Sequence, residues 1–313
     1  MTVDRRSYSS GHFELLIDGH SQTPYLKSVE GGHTKASLVS EAVGTRLNQI
    51  KHVSTMDVDP FSIEFSLSGA KDILNWIGQS WNKTFGRRHG QITHADFNLE
   101  QAYLHEFYEA LITETTFPTL DGSSKEAAYL KVKMQPETIS TKMLQGGKYS
   151  PGSNTANATK HQMWLPSAFR FSIDGMDDMR YVNKIDSFTI KQGVKKHYTG
   201  ESQFPQIEPT KLEFPNITGT IALRYADELL KWQEIIANSK SGANNNGHKT
   251  GAIEFLSTDR KSSIFRIVLD EVGLLSAQLE PSKANAESIK RVKFEFYVGS
   301  MKIDQSDMSG LQS

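Results

Sequence analysis

The stretch FELLIDG at Phe13–Gly19 returns as FRFSIDG at Phe169–Gly175. The distance between the two copies, 169 minus 13, is 156 residues, which is close to half of the 313-residue chain. A match at a fixed offset is the signature of an internal repeat. The fold therefore depends on whether the same offset holds along the rest of the chain.

The offset holds as far as Trp76, which aligns with Trp232. Apolar, acidic and small positions keep the same register: Tyr25-Leu26 with Tyr181-Val182, Val29-Glu30 with Ile185-Asp186, Ala70 with Ala226, and Leu74 with Leu230. Agreement over this length is typical of a tandem duplication. The sequence therefore predicts two domains, 1–165 and 166–313.

Both halves follow the same order of predicted elements. Residues 61–67 and 217–223 place apolar side chains on alternate positions, the pattern of a strand with one buried face. After each strand the apolar residues lie four and seven apart, which predicts an amphipathic helix. Each half is thus predicted to contain strands, then one helix, then further strands.

The strands that close each half also alternate. In the second half these are Phe265–Leu269 and Val292–Val298, and their predicted counterparts are Tyr129–Met134 and Lys160–Phe169. The last counterpart runs directly into FRFSIDG. We therefore expect the final strand of the first half to become the first strand of the second, with a bend at Pro166.

Other segments are predicted to lie outside the regular elements. Gly146–Lys160 and Lys240–Gly251 are rich in Gly, Asn, Ser and Thr, which is typical of solvated, mobile loops. The first half carries extra sequence around Asn98–Gly122, where the offset fails. The tail after Ile303 is expected to be frayed.

The composition excludes several classes of function. Lys and Arg number 35 against 36 Asp and Glu, so the formal charge of −1 offers no overall basic field for nucleic acid or an anionic membrane. The chain has no cysteine, which excludes disulfides, thiolate chemistry and a Cys-ligated zinc site. It lacks both the apolar core of a signal peptide and a long apolar run, so a cytoplasmic protein without a membrane partner is expected.

Motifs for catalysis and metal binding fail on their spacing. HEFYE at His105–Glu109 begins like a zinc-protease helix, but Glu109 stands where the second histidine is needed. GGKYS at Gly146–Ser150 lacks the first glycine and the preceding strand of a P-loop. The sequence therefore predicts no catalytic residue, no metal site and no cofactor, and the protein is not expected to be an enzyme.

The repeated acids have two interpretations. Asp18 and Asp174 would suit acid–base chemistry if the two carboxylates met. The favoured interpretation is that each forms a tight Asp-Gly turn, in which Gly19 and Gly175 have positive φ.

Two further features invite a functional interpretation and a structural one. Trp76 and Trp232 would be ligand platforms if exposed, but a Trp on the apolar face of a helix is predicted to be core. FGRRHG at Phe85–Gly90 and VKKH at Val194–His197 would contact an anion, although solvated surface charge is the favoured interpretation.

Three segments of the second half carry a family resemblance: FRFSIDGMDDMRYVNKIDSFTIKQ at 169–192, LEFPNITGTIALRYADELLKWQEIIAN at 212–238 and SIFRIVLDEVGLLSAQLEPSKANAESIKRVKFEFYVG at 263–299. Their F-x-x-x-I-D-G motif, strand followed by a Trp-bearing helix, and late V-x-F-E-F strand resemble the tail-tube protein family of contractile-tailed phages and contractile injection systems. The resemblance covers nearly all of 169–303 and, more loosely, 13–169. The family carries no catalytic signature.

What the resemblance implies is mechanical. Tube-family domains are small β-barrels with a flanking helix, and six of them form a ring whose inner strands join around a lumen that passes DNA or an injected effector. On this resemblance the fold is mainly β (α+β), with two tandem tail-tube-like β-barrels that each have a flanking α-helix. The segments Gly31–Asp59 and Lys191–Leu212 would be the loops through which rings stack.

The chain departs from the ordinary family pattern because it contains two such domains. Baseplate hub proteins that resemble this family also contain two, and three chains then make a six-domain ring. The resemblance thus implies a tube, a tube-end adaptor or a hub-like ring within a phage tail or injection-system particle assembled in the cytoplasm. Its partners would be neighbouring tube, sheath-end or baseplate proteins, with cargo in the lumen.

The number of chains per ring has two solutions. Self-association into a trimer is favoured because little chain separates the two units. Six chains that form two stacked rings are the alternative, since a heterologous interface closes at either number.

Two other classes of function stay open. An enzyme built on duplicated β domains would need a cleft with convergent acids, and none are clustered in the sequence. A non-enzymatic carbohydrate- or peptide-binding β module needs no motif, and the aromatic segment KHYTGESQF at Lys196–Phe204 would suit such a ligand.

Overall fold

A computed structural model describes residues 11–22, 26–42, 49–67, 70–148, 164–238, 248–281 and 289–304. These residues form twenty strands, two α-helices and two short 3-10 helices. The predicted mainly β fold with few helices is confirmed. Neither α-helix within these ranges is long and apolar enough to cross a membrane.

The first half contains one helix between two groups of strands. Its elements are β1 His12–Ile17, β2 His20–Gln22, β3 Leu26–Glu30, β4 Thr34–Ala42, β5 Gln49–Val58, β6 Phe61–Phe65, α1 Lys71–Trp81, β7 Arg88–Ala95, β8 Glu100–Phe117, β9 Leu120–Asp121, β10 Leu130–Gln135 and β11 Thr138–Lys148.

The second half also places one helix between two groups of strands. Its elements are β12 Phe169–Ile173, a 3-10 helix Asp177–Tyr181, β13 Val182–Ile185, β14 Phe188–His197, β15 Gln206–Glu213, β16 Ile217–Ala222, a 3-10 helix Leu223–Tyr225, α2 Asp227–Asn238, β17 Lys249–Leu256, β18 Ser263–Leu279, β19 Arg291–Tyr297 and β20 Ser300–Asp304.

The two halves hydrogen-bond their strands in the same order. The first half runs β1-β7-β8-β10-β6-β3 with β11 added to β8, and the second runs β12-β17-β18-β19-β16-β13 with β20 added to β18. An irregularity repeats as well, because Glu109 in β8 and Glu271 in β18 are both left-handed, with φ of 52° and 55°. A non-glycine residue in this region is uncommon, so the repeated bend marks equivalent positions in the two strands.

Two predictions about the first half are wrong. The closing strand is not Lys160–Phe169, because β11 closes this half against β8. Pro166 does lie in a turn, but residues 164–168 form no strand and residues 160–163 lie outside the described ranges. The segment Asn98–Gly122 is not an insertion, because it contains β8, the counterpart of β18.

The error has a simple cause. Residues 82–87 connect α1 to β7, whereas the longer segment 239–248 connects α2 to β17. This connection adds four residues to the offset, and smaller length differences in the helix and the following loop bring it from 156 to 162 by β8, as the distance from Glu109 to Glu271 (271 minus 109) shows. Under the new offset β10 corresponds to β19, and not to the earlier strand of the second half.

The two segments predicted as stacking loops are β-hairpins. Gly31–Asp59 contains β4 and β5, and Lys191–Leu212 falls within β14 and β15. The other predicted loops lie mostly outside the described residues, which omit 149–163 and 239–247, and so does the tail after Asp304.

Both helix tryptophans are buried, as predicted. Trp76 is 3% exposed, and its indole N–H donates a hydrogen bond to the carbonyl of Gly86 at 2.8 Å. Trp232 is 8% exposed and stacks on Phe296 with ring centroids 5.8 Å apart. A ligand has no access to either ring face at this degree of burial.

We expect Trp76→Ala and Trp232→Ala each to lower the free energy of unfolding by about 3–5 kcal/mol, since each leaves a large cavity in the core. Phe97, which is 72% exposed, provides the control, and Phe97→Ala should change it by less than about 0.5 kcal/mol. Denaturant melts monitored by circular dichroism measure all three. A tryptophan variant that matched the Phe97 control would place that ring at the surface.

Candidate ring interface

The two halves are joined by one antiparallel ladder. Strands β8 and β9 run along β14 and β13 in a single register without a shift: Glu114 opposite Lys191, Thr115 opposite Ile190, Thr116 opposite Thr189, Phe117 opposite Phe188, Leu120 opposite Ile185 and Asp121 opposite Lys184. We call this contact the internal ladder. It is formed by residues 114–121 of the first half and residues 184–191 of the second.

The internal ladder has an apolar face and a polar face. On the apolar face Phe117 stacks on Phe188 with centroids 4.9 Å apart, and it also contacts the rings of Phe255 and Phe265. On the polar face the hydroxyls of Thr116 and Thr189 are hydrogen-bonded at 2.9 Å. Phe117 is fully buried, so the ladder merges the cores of the two halves into one apolar cluster.

The internal ladder also makes one continuous sheet. The order of hydrogen-bonded neighbours is β3-β6-β10-β8/β9-β14/β13-β16-β19-β18, in which β8/β9 and β14/β13 each count as one interrupted strand. The sheet therefore runs across the chain with the two halves side by side. Its two ends are the outer edge of β3 and the outer edge of β18 near the C-terminal end of that strand.

The two ends of this sheet are the sequence counterparts of the internal ladder. A bulge between Lys133 and Met134 fixes β10 against β8, and the same bulge between Leu274 and Ser276 fixes β18 against β19. By this alignment Leu279 occupies the position of Phe117. Phe117 is 0% exposed, whereas Leu279 is 60% exposed.

The other end begins with a hairpin that has no partner strand in the described ranges. β4 pairs only with β5, whereas the equivalent strand β14 pairs with both β15 and β8. Four apolar side chains of the β4–β5 hairpin are exposed: Leu38, Val39, Ile50 and Val53. Met56 and Asp57 near the base of this hairpin contact the β14–β15 hairpin, but these four apolar side chains are left in water, which is unfavourable unless a second surface covers them.

Basic residues of the FGRRHG and VKKH segments form ion pairs with carboxylates of the same chain. Arg87 forms an ion pair with Glu137, which also accepts a hydrogen bond at 2.9 Å from the backbone N–H of Ile207 in β15. Lys196 in β14 forms an ion pair with Asp57 in β5. Neither the solvated nor the anion-binding interpretation describes these residues, because their charges hold the β14–β15 hairpin against the first half.

Asp18 and Asp174 are turn residues, as predicted. Gly19 and Gly175 have φ of 80° and 75°. Asp18 accepts a hydrogen bond from Arg88 at 2.6 Å and one from the backbone N–H of His89 at 3.2 Å.

The equivalent carboxylate of Asp174 is held by β17. It accepts a hydrogen bond from the hydroxyl of Thr250, and its backbone N–H donates to the Thr250 carbonyl at 2.9 Å. Each carboxylate therefore fastens a turn to the neighbouring strand of its own half.

His105 and Glu109 lie on strand β8 and not on a helix. His105 is 3% exposed and packs among His33, His94, Phe61 and Tyr103, with ring centroids 4.3–6.2 Å away. Burial, followed by the neighbouring charges of His94 and His33, lowers the pKa of His105 to about 4. Within the described residues no group of three His, Asp or Glu side chains is arranged to hold a metal ion.

The surface has a depression beside Asp18 that contains ionisable side chains, as an enzyme cleft would. It is lined by Leu16, His89, Glu106 and Tyr108 among others. The hydrogen bond from Lys142 lowers the pKa of Glu106, so this carboxyl is a poor proton donor at neutral pH. Asp18 is already bound to Arg88, so the two acids of this depression are both engaged.

The aromatic segment Lys196–Phe204 lies at the tip of the β14–β15 hairpin. Tyr198 is 45% exposed, but the carbonyl of Gln203 accepts a hydrogen bond at 3.0 Å from the backbone N–H of Met56 in β5. The tip therefore contacts the other hairpin of the same chain.

The sequence does not show which strands pair with each other in the internal ladder. The sequence shows the alternation of Phe188 and Ile190, but a single strand pattern does not identify its partner strand. The one available signal was the repeat itself, because the corrected 162-residue offset makes Leu279 the counterpart of a fully buried phenylalanine.

Comparisons with known proteins identify no family for the chain. No protein-family model matches it, and no curated protein matches it. Among solved structures it is similar to the tube-terminating cap of the anti-feeding prophage, with 13% identity and a TM-score of 0.39 over 46% of this chain and 96% of the cap protein. These values describe a distant similarity that covers one half of the chain.

Two further solved structures show similarity of the same kind. A chain of the sheath–tube complex of the extracellular contractile injection system PVC in its extended state is 14% identical, with a TM-score of 0.36 over 43% of this chain and 88% of that one. Hcp1 from Flavobacterium johnsoniae is 12% identical, with a TM-score of 0.27 over 44% and 94%. Identities and scores this low assign no function to the present chain.

We expect Asp18→Asn and Asp174→Asn to lower the free energy of unfolding by about 1 kcal/mol each, because each removes a charge-assisted hydrogen bond from a turn. Equilibrium denaturation gives the value, and far-ultraviolet circular dichroism checks that each variant keeps the fold. A loss above about 4 kcal/mol would mean that more of the fold depends on these carboxylates than their turns.

We expect the stability to fall as the pH drops from 6.5 towards 4. In this window unfolded His105 binds a proton that the folded state excludes, so acid favours unfolding, on the order of 1–3 kcal/mol in total. Denaturant melts at several pH values measure the slope. His105→Phe should flatten it, whereas His197→Gln at an exposed position should not; an unchanged slope in His105→Phe would contradict the assignment.

Proposed function

We propose that the chain is a structural, non-enzymatic component of the inner tube of a contractile phage tail or contractile injection system. In this proposal residues 1–165 and 166–313 are two tube-like domains that occupy adjacent positions of a ring. The internal ladder carries the proposal, because it joins the two halves edge to edge in one continuous sheet. The tube-family motifs of the sequence supply the expected assembly.

The direction of the sheet supports three chains per ring. The internal ladder continues the sheet of one half sideways into the next, so in a ring the two halves would lie at the same level. The stacked alternative, with six chains, requires the halves to lie at different levels. Three chains would contribute 24 strands, three times the eight consecutive strands of each chain.

A closed sheet of this size would surround a water-filled channel, since barrels of more than about sixteen strands leave an open lumen. The core lies on one face of the sheet, so the polar face would line the channel. Polar contacts on that face include an ion pair across two strands, Lys133 with Glu114 at 2.8 Å, an ion pair along one segment, Lys184 with Asp186 at 3.1 Å, and a hydrogen bond from Asn216 to Glu295 at 2.7 Å. A lining with such paired polar groups would be hydrated.

The exposed β4–β5 hairpin supports a contact with a further protein of the same particle. Its apolar residues Leu38 and Ile50 are more than half exposed. The partner would be a neighbouring ring or an adaptor protein at the sheath end or baseplate end of the tube. The particle would assemble in the cytoplasm, and its cargo would pass through the lumen.

We expect purified protein at high concentration to form a closed ring of three chains. Native mass spectrometry should give about 105 kDa, three times the chain mass of 35.0 kDa, whereas the stacked alternative gives about 210 kDa, six times 35.0 kDa. A monomer that persisted at high concentration would contradict both arrangements and favour the binding-module alternative.

A further inference from the structure

The two ends of the continuous sheet are complementary to each other. One end is the C-terminal end of β18, where Ser276 and Ala277 correspond to Glu114 and Thr115 of the internal ladder. The other end is β3, which is followed along the chain by β4; together they are the repeat counterparts of β13 and β14, although β4 hydrogen-bonds with β5 in a sheet of its own. The 156-residue offset (191 minus 35) makes Lys35 the counterpart of Lys191, and in the same way Thr34 corresponds to Ile190.

We propose that the C-terminal end of β18 in one chain pairs with the start of β4 in a second copy, in the register of the internal ladder. Ser276 then lies opposite Lys35 of the neighbour, and Ala277 lies opposite Thr34. This assignment rests on the proposed ring and specifies which residues close it. The interface is heterologous, since each chain offers a different edge to its two neighbours.

The edges have the properties that such a contact needs. In the described ranges residues 276–279 hydrogen-bond only to β19, which leaves their other edge open, and β4 hydrogen-bonds only to β5. Leu275 and Leu279 on β18 are 53% and 60% exposed. An open strand edge beside exposed leucines is unfavourable in a soluble chain unless another strand covers it.

The side chains explain why this contact forms between chains while its counterpart is internal. Phe117 and Phe188 stack across the internal ladder, whereas the counterparts of these residues are Leu279 and Gly32. A leucine opposite a glycine buries much less apolar area than two stacked phenylalanines. The contact between chains is therefore the weaker of the two.

The β3–β4 connection would orient the hairpin for this contact. Gly31 and Gly32 have φ of 85° and 71°, and a Cβ on either would lie 2.0 Å from Pro60 or Phe61. Ser187 and Phe188 occupy the equivalent positions in the second half and have no such backbone. The β3–β4 connection thus has a backbone conformation that the β13–β14 connection lacks, and Lys35 lies beyond it within the regular strand.

Cysteine cross-linking tests the register directly, because the natural chain contains no cysteine. One preparation carries Ser276→Cys, a second carries Lys35→Cys, and the two are mixed before oxidation. We expect a covalent dimer linked between residues 276 and 35 in the mixture and no dimer in either preparation alone. A chain that carries both substitutions should give covalent species of up to three chains on a non-reducing gel.

Two controls are matched to this design. Glu114→Cys with Lys191→Cys places the same pair in the internal ladder, so its link should form within one chain whatever the assembly state. Gln278→Cys mixed with Lys35→Cys shifts the register by two residues on the same face of β18, and its link should be lost or strongly reduced.

The outcomes separate this inference from the proposed function. A 276–35 link supports the pairing. A ring by native mass spectrometry whose chains do not link, or that link only through the shifted 278–35 pair, overturns the register and leaves the ring intact. A 276–35 link in linear or two-chain species without a ring keeps the strand pairing and contradicts the proposed ring.

Discussion

The antiparallel ladder between residues 114–121 and 184–191 joins the two halves of the chain. It keeps one register over both interrupted strands, which turns two sets of strands into a single sheet. The stacked rings of Phe117 and Phe188 bury the joint, so neither half can rotate against the other without opening a shared core.

The same ladder explains the difference between the two hairpins. The β14–β15 hairpin is attached through the pairing of β14 with β8 and through Glu137, which accepts a hydrogen bond from the backbone N–H of Ile207, so that β14 has a partner strand on each side. The β4–β5 hairpin has the same place in the fold but pairs only with itself in the described residues. An element that is satisfied in one half and exposed in the other is what a repeat gives when one of its contacts is supplied by another molecule.

Periodicity was sufficient to predict the elements whose residues alternate or repeat locally. Strands β6 and β16 and both tryptophan helices follow from spacing alone, as do the turns at Gly19 and Gly175. Strand β8 does not follow from the 156-residue offset. The longer α2–β17 connection shifts the offset, so the sequence of β8 has no match at 156 residues and resembles an insertion.

The candidate interface was less accessible to sequence reasoning. The basic residues Arg87 and Lys196 are bound by carboxylates from distant parts of the chain, and no local pattern gives such a pairing. The partners of β8 in the sheet are equally non-local, since strand pairing is set by register and burial across the fold. The repeat supplied the one route from sequence to interface, once its offset was corrected.

We propose that the contact between copies repeats the contact inside each chain. A cryo-electron microscopy map of the assembled ring that resolves individual strands tests this most directly. We expect threefold symmetry and two similar but distinct domains that alternate around the ring. The sheet should continue without a gap from the C-terminal end of β18 into β4 of the next chain. True sixfold symmetry with one domain type in each layer, or a sheet interrupted between chains, would contradict it.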